Sequence, residues 1–134
     1  MDPDTTVTHA VEVTESFIDL LVSRAGYTHP LFNPTPEERA AGQVVPLPGQ
    51  GVLVLAGGLA EQSGVLDKAI ALLEMKSVRF LKMTSAGSFL RLELTPGTDT
   101  STTSGKVIRE FMWTMRDDHG DAVMEATIVM LMGE

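Results

Sequence analysis

A proline-containing segment, YTHPLFNP from Tyr27 to Pro34, holds two of the residues best suited to acid–base chemistry. His29 carries an imidazole with an ordinary pKa of about 6.5, so it can give or take a proton near neutral pH. Tyr27 lies two residues before His29, and an extended loop would place both side chains on one face. A phenol with an ordinary pKa of about 10 donates a proton more readily than it accepts one. The prolines favour the extended path that this arrangement needs.

A second candidate site is the turn formed by Pro48, Gly49, Gln50 and Gly51. Glycines permit close approach of a ligand, and the free N–H groups at the start of a helix can polarise a carbonyl oxygen. The alternative is that two prolines and two glycines simply turn the chain into a helix.

The apolar segment that follows this turn, GVLVLAGGLAEQSG, must position those N–H groups. It has no turn signal inside it, and we predict a buried helix from Gly51. In that helix Gly57 and Gly58 would let a sheet approach the backbone closely, although glycine disfavours helix by about 1 kcal/mol. The alternative is a hairpin that turns at Gly57 and Gly58.

Metal and nucleophile sites are not expected. The three histidines, His9, His29 and His119, are scattered along the chain, and the acidic turn from Asp117 to Asp121 lacks the spacing of a calcium loop. No serine has the Gly-x-Ser-x-Gly context of a serine nucleophile, and the sequence contains no cysteine.

Composition favours one domain over residues 1–134, because typical domains have about 100–150 residues. Ten Lys and Arg against eighteen Asp and Glu give a net charge of −8, which repels phosphate backbones and acidic membrane surfaces, so no nucleic acid or membrane partner is expected. The N-terminus lacks a secretory signal pattern, and the longest apolar stretch, residues 51–60, is too short to cross a bilayer. We therefore expect a soluble, cytoplasmic protein.

The elements before the apolar segment are a short strand and two helices. Val11 and Val13 flank Glu12 in an alternating strand. Thr14 can then cap a helix with Phe17, Leu20 and Leu21 on one face, and Gly26 should end it. Thr35, Pro36 and Glu38 form a capping box with proline at the first helical position, which predicts a short helix to about Ala41.

Four stretches of strand-like composition follow, and the short connections between them predict antiparallel neighbours. The polar run TDTSTTSG should be a hairpin loop, and in the last stretch Val123, Glu125, Thr127, Val129 and Leu131 fill one face. The whole is an α+β chain in which the helix from Gly51 covers one face of the sheet. The four stretches are Leu72–Met83, Ser88–Pro96, Gly105–Arg116 and Ala122–Met132.

Five pieces of the sequence, in this order, resemble the MaoC-like dehydratase family of acyl-thioester hydratases. VTESFIDLL is similar to the first helix of the family, GYTHPLF to its Gly-Asp-x-Asn-Pro-x-His loop, and VRFLKM to its Arg-Phe strand; AGSFLRLEL and HGDAVMEATIVML are similar to two later strands. The resemblance implies a hot-dog fold, in which a curved antiparallel sheet wraps around a central helix. It also implies dimerisation through sheet edges, an acyl-CoA or acyl carrier protein thioester as ligand, and no cofactor.

The resemblance fails where the family keeps its catalytic residues. Tyr27 occupies the position of the family's Asp, His29 that of its Asn and Phe32 that of its His, whereas Gly26 and Pro30 match. Hydration of an enoyl thioester needs a base for water, an acid near the α-carbon and donors for the carbonyl oxygen. The resemblance therefore leaves His29 and Tyr27 as the expected catalytic residues.

The remaining ligand contacts expected from the resemblance are Phe32, Arg79 and the turn Gly49-Gln50-Gly51. Arg79 would meet a coenzyme A phosphate, and the turn would hold the thioester carbonyl.

Two other functions stay open. One is a non-catalytic subunit that binds a thioester or supports a catalytic partner, as a homodimer or with another hot-dog chain. The other is an acyl-CoA thioesterase that uses Glu61, because Leu59-Ala60-Glu61 is similar to a stretch found in some hot-dog thioesterases.

Overall fold

Two very short strands and three helices precede four long antiparallel strands in the computed structural model, which describes residues 2–134. The helices are α1 (Glu15–Ala25), α2 (Pro36–Ala40) and α3 (Gly49–Gln62). The strands are β1 (Thr6–Val7), β2 (Val11–Glu12), β3 (Ala69–Phe80), β4 (Phe89–Ser101), β5 (Val107–Arg116) and β6 (Ala122–Met132). The α+β class and the helix over the apolar segment are thereby confirmed, and the alternative hairpin at residues 57–58 is wrong.

The strands form one antiparallel sheet in the order β1-β4-β5-β6-β3, with β2 also paired to β4. Strands β4, β5 and β6 are neighbours as expected, but β3 pairs with β6 instead of β4. The connection from β3 to β4 is not a tight turn. Its backbone pairs with the segment that leads into α3. Leu47 donates its N–H to the carbonyl of Thr84 at 2.7 Å, and Pro46 forms a bridge with Ser85.

Helix α3 packs its apolar side against one face of this sheet. Val52, Ala56 and Leu59 are buried on the helix, and they belong to the same core as Phe111 and Ile128 of the sheet. Buried and exposed side chains alternate along β5 as the sequence predicts: Phe111, Trp113 and Met115 are buried, and Met112 is exposed. This core also contains Ile18 and Val22 of α1, so α1 and α3 both contribute to the cover of the sheet.

The caps of the first two helices agree with the sequence, but the buried face of α1 does not. Thr14 accepts the N–H of Phe17, and Gly26 ends the helix with a φ of 80°. Ile18 and Val22 are buried, and Phe17 and Leu21 are partly buried against the same core, whereas Leu20 is 58% exposed. The expectation is therefore wrong for Leu20, which does not share the packed face. Thr35 and Glu38 form the predicted capping box of α2.

The core face of β6 is formed by the even-numbered residues Met124, Ala126 and Ile128, opposite the face that contains Glu125 and Thr127. One expectation about the strands is corrected. Strand β4 continues to Ser101 through half of the polar run expected to be a loop.

Strand β3 lies at the edge of the sheet and is irregular. Its pairing with β6 shifts register at three places, one of them between Lys76 and Arg79. Within that interval Ser77 has a φ of 54°, in the left-handed region that few residues other than glycine adopt. The interval is a β-bulge, which bends the strand at this point.

Close approach to α3 occurs at its first turn and not at the glycine pair in its middle. A Cβ on Gly51 would lie 2.6 Å from Leu47 Cδ1 and 2.7 Å from Leu21 Cδ2. A Cβ on Gly57 would meet nothing within 4 Å, so the expectation that a sheet approaches the backbone there is wrong. Gly51 is required because α1 and the segment before α3 both press on that turn.

We predict opposite effects of alanine at these two glycines. Gly57→Ala should raise the free energy of unfolding by about 1 kcal/mol, because alanine has the higher helix propensity and the space is open. Gly51→Ala should lower it by about 1–3 kcal/mol, because the added methyl group overpacks buried side chains. Urea denaturation of both variants checks this, and equal shifts of the two midpoints would contradict it.

Candidate functional site

The loop after α1 is held in one conformation by its own hydrogen bonds. Asn33 donates its side-chain amide to the carbonyl oxygens of Tyr27, at 2.8 Å, and His29, at 3.1 Å. The rings of Tyr27 and Phe32 pack edge to face with centroids 5.3 Å apart. This loop, residues 27–32, therefore presents a defined set of side chains to its surroundings.

The loop reaches the first turn of α3 through Tyr27. The Tyr27 hydroxyl donates a hydrogen bond to Gln50 Oε1 at 3.1 Å. Gln50 is the second residue of α3, and no side chain caps that helix at Pro48. The Gly51 N–H donates to the carbonyl of Pro48 at 2.8 Å, whereas the N–H groups of Gly49 and Gln50 come before it and have no preceding helical turn to accept them. The positive end of the helix dipole therefore lies beside the Tyr27–Gln50 pair.

His29 is exposed and lies at the outer side of the loop. Its Nδ1 accepts the N–H of Leu31 at 3.0 Å, so the neutral ring carries its proton on Nε2. The imidazole and Phe32 ring centroids are 6.5 Å apart. His29 and Tyr27 thus both flank the Phe32 ring, but their hydrogen bonds differ: the Tyr27 hydroxyl donates to Gln50, whereas Nδ1 of His29 accepts from Leu31.

A cavity of about 260 Å³, which we call the α3-start cavity, opens beside this turn. Phe32 from the loop, Gly49 and Val52 from α3, and the chain after β3 form its wall. Of the expected ligand-binding residues, Phe32 and Gly49 line it. Gln50 is exposed and Gly51 is buried within the first turn of α3, and neither lines the cavity. The expected catalytic residues His29 and Tyr27 are not among the lining residues. Arg79 does not line it either; it is exposed on β3 opposite Glu125 of β6.

Lys82 is the ionic residue of the cavity wall, and it is paired. Its Nζ lies 2.6 Å from Asp117 Oδ2 and 2.9 Å from Asp121 Oδ2. Asp117 is only 6% exposed, and its Oδ1 accepts the N–H groups of His119 and Asp121. Burial opposes ionisation of this carboxyl, but Lys82 and the two amides outweigh it, so the pKa of Asp117 lies below its ordinary value. The pair attaches the turn before β6 to the cavity wall.

A second cavity of about 310 Å³, the α3-end cavity, lies between the other end of α3 and the first half of β3. Its wall includes Glu61, Leu66, Met75, Trp113 and Met130. Glu61 is exposed in the last turn of α3. The structure thus separates Glu61 from the loop and from the first turn of α3.

Each cavity wall includes a buried residue with an unpartnered polar atom. Among the described residues, Thr84 Oγ1 and Trp113 Nε1 are buried side-chain atoms without a hydrogen-bond partner. Thr84 lines the α3-start cavity, and Trp113 lines the α3-end cavity. Sequence analysis missed both residues, because nothing in the sequence shows which polar side chains in the sheet face a cavity.

Within residues 2–134, no cluster of three or more His, Cys, Asp or Glu side chains has the geometry to hold a metal ion. Over the same residues, none of the helices is both long and apolar enough to span a bilayer.

We expect acid to remove the stabilising contribution of Asp117. Its pKa is lowered in the folded state, so this contribution is present above the unfolded pKa, about 3.9, and is lost as the pH falls below it. Thermal unfolding between about pH 3 and 7 should therefore show a weaker pH dependence for Asp117→Asn than for the unmodified protein. Asp99→Asn is the control, because Asp99 pairs with Arg109 at the surface and surface pairs contribute little. An unchanged pH profile in Asp117→Asn would contradict the prediction.

Comparisons with solved structures identify the fold of this chain. No protein-family model matches the sequence, and neither does any curated protein. The structure is similar to a MaoC-like dehydratase from Rhodospirillum rubrum, with 19% identity and a TM-score of 0.77 over 96% of this chain and 90% of that one. It is also similar to the HadBC (3R-hydroxyacyl-ACP dehydratase) complex from Mycobacterium tuberculosis, with 21% identity and a TM-score of 0.72 over 98% of each chain.

A third similar structure is a Mycobacterium tuberculosis protein with a double hotdog fold. The identity is 17% and the TM-score is 0.74, over 96% of this chain and 42% of that one. The expected wrapping of an antiparallel sheet around α3 is confirmed by these structures. This chain therefore has the hot-dog fold, and it is structurally similar to the MaoC-like dehydratases.

Proposed function

We propose that the protein binds an acyl thioester in the α3-start cavity and is a hot-dog protein of the enoyl-CoA hydratase or 3-hydroxyacyl dehydratase type. The observation that carries the proposal is the contact between Tyr27 and Gln50 at the uncapped start of α3, beside a cavity of about 260 Å³. Structural neighbours of this class include the dehydratases described above. The ligand is a thioester of coenzyme A or of an acyl carrier protein.

The first turn of α3 supplies the electrophilic part of the site. The thioester carbonyl oxygen accepts hydrogen bonds from the free N–H groups of that turn, and the helix dipole stabilises negative charge on it. Such donors stabilise the enolate that forms when the α-carbon loses or gains a proton. The apolar wall formed by Phe32, Val52 and Phe80 suits the acyl carbons.

His29 and Tyr27 replace the missing pair of the family in this proposal. During hydration the water oxygen bonds to the β-carbon, a base takes the proton of the water, and the α-carbon gains a proton. His29 acts as the base through Nδ1 after water displaces the Leu31 N–H that Nδ1 now accepts. Tyr27 donates the proton to the α-carbon, in line with its role as donor to Gln50. Catalytic hydrogen bonds often form only when substrate is bound.

Hydration of butenoyl-CoA tests these roles. His29→Ala should lower kcat/KM by about a hundredfold or more, because general acid–base catalysis contributes about that much. Loss of the enoyl absorbance gives the rate. His9→Ala is the matched control, since His9 is exposed near the N-terminus, and it should leave the rate unchanged. Equal rates for the His29→Ala variant and the unmodified protein would contradict the roles of this pair.

A second candidate function is thioester binding without turnover. Phe32 stands in the cavity wall at the position of the family's His, and Nδ1 of His29 is already hydrogen-bonded. Calorimetry with butyryl-CoA then shows binding, while no butenoyl-CoA is hydrated. A partner chain that retains the family's Asp and His would supply the activity.

The thioesterase alternative places the reaction in the α3-end cavity, where Glu61 lies. It requires release of free thiol from an acyl-CoA. Release that is equal in Glu61→Gln and in the unmodified protein would exclude Glu61 as base or nucleophile.

We also propose that the protein forms a homodimer through β3. This strand is at the sheet edge, and it exposes apolar side chains that a partner would bury, including Ile70, Leu72, Leu73 and Phe80. Unpaired edges of this kind readily pair with another strand. The alternative partner is another hot-dog chain, as in a mixed assembly.

Sedimentation equilibrium should detect a dimer of the unmodified protein. Leu73→Glu should shift the monomer–dimer equilibrium towards monomer. Leu73 is 49% exposed, so an unpartnered monomer tolerates the substitution, whereas a buried unpaired carboxylate is costly in an interface. The dimer dissociation constant should rise about tenfold or more, which corresponds to about 1.4 kcal/mol. Leu20→Glu is the matched control, because Leu20 is 58% exposed on α1 and not on β3. A monomeric unmodified protein at micromolar concentration would contradict the proposal.

A further inference from the structure

The α3-end cavity is larger than the α3-start cavity and is separate from it. Its volume is about 310 Å³, against about 260 Å³, and among the described residues that line the two cavities none is shared. Gly49 in one wall and Glu61 in the other lie at opposite ends of α3, about 18 Å apart along the helix axis. A ligand of the α3-end cavity therefore does not depend on thioester binding at the helix start.

The wall of the α3-end cavity is almost entirely apolar. Trp113, Ile128 and Met130 are buried and form its inner side, whereas Ile70 and Leu72 of β3 are exposed and form its rim. Sites for small molecules are commonly cavities of about 300–1,000 Å³ with apolar walls and a few polar groups that orient the ligand. The size and the wall of this cavity thus suit the apolar body of a small molecule.

Glu61 is the one charged side chain among the residues that line this cavity, and the fold does not neutralise it. None of the ion pairs in the described part of the chain includes Glu61. It lies in the last turn of α3, which contains no basic residue. This is the negative end of the helix dipole, where a carboxylate is unfavourable and a cation is stabilised. The carboxylate and the helix end therefore both favour a positively charged group here.

We propose that the α3-end cavity binds an apolar ligand with one cationic group, of the alkylammonium class. The ammonium group pairs with the Glu61 carboxylate at the helix end, and the alkyl chain lies against Met75, Trp113 and Met130. An alkyl carboxylate of the same length would meet Glu61 and the helix dipole as like charges. A ligand bound in this way leaves the first turn of α3 open to a thioester.

Fluorescence titration with octylamine, octanol and octanoate at neutral pH, where the amine is protonated, tests the charge preference. Trp113 is the single tryptophan of the sequence and lies in this wall, so its emission reports on the cavity. Octylamine should bind about two- to fivefold more tightly than octanol, the range for an exposed ion pair, and octanoate should bind least. Glu61→Gln should remove the difference between amine and alcohol. Glu37→Gln, which removes the same charge on α2, should keep it.

Two neighbouring glycines of α3 allow the ligand to be located. Gly57 lines the cavity, and a Cβ there would meet nothing within 4 Å, whereas Gly58 is not among the lining residues. Gly57→Leu should lower the affinity for octylamine about tenfold or more, because its side chain occupies the cavity. Gly58→Leu is the matched control and should leave the affinity unchanged.

A further measurement needs no ligand. Glu61→Gln should raise the Tm by about 2 °C, because it removes a carboxylate from the negative end of the helix dipole. A lower Tm in this variant would show that the carboxylate already has a stabilising partner in the fold, and it would overturn the inference.

Three results of the titrations would also overturn it. Equal affinity for octylamine and octanol, or an unchanged preference in Glu61→Gln, removes the role of Glu61. Unchanged affinity in Gly57→Leu places the ligand outside this cavity. Leu73→Glu disrupts the proposed dimer without altering a lining residue, so loss of binding in that variant excludes a site within one copy of the chain. None of these experiments uses a thioester, and their failure is therefore distinct from failure of the proposed function.

Discussion

The tight packing around the first turn of α3 determines where a ligand can bind. Leu21 of α1 and Leu47 press on Gly51, at a distance that leaves no room for a side chain. This contact holds α1 beside α3, and the loop that follows α1 is therefore brought to the start of α3. Tyr27 can then reach Gln50. The helix terminus is left without a side-chain cap. Its Gly51 N–H donates to Pro48, and the N–H groups before it have no partner within the helix.

The same region is bound from the other side by the chain between β3 and β4. Thr84 pairs with Leu47, while Lys82 connects this chain to Asp117 and the turn before β6. Three separate parts of the sequence thus form one small cavity. Because the ionic residue of the wall, Lys82, is paired within the protein, the wall presents mainly apolar surface. This composition favours a neutral acyl group over a charged one.

The sequence predicted the elements that local signals define. Thr14, Gly26 and the Thr35 capping box act within a few residues of themselves, and the structure confirms all three. Features set by contacts between distant residues could not be predicted from the sequence. The pairing of β3 with β6, the buried face of α1 and the close approach at Gly51 all depend on packing across the chain. The contact of Tyr27 with Gln50 and the unpartnered Thr84 hydroxyl are of the same kind, because each needs a partner or a cavity from elsewhere in the sequence.

The irregularity of β3 affects how copies of this chain can associate. Ser77 holds a left-handed conformation where the register shifts between Lys76 and Arg79. A straight, flat edge strand can pair with further strands and lead to fibres. The bulge at Ser77 follows two earlier register shifts in β3, and it bends the strand away from the straight path that regular pairing needs. In the homodimer proposed above, this bend limits how much of β3 a partner strand can follow.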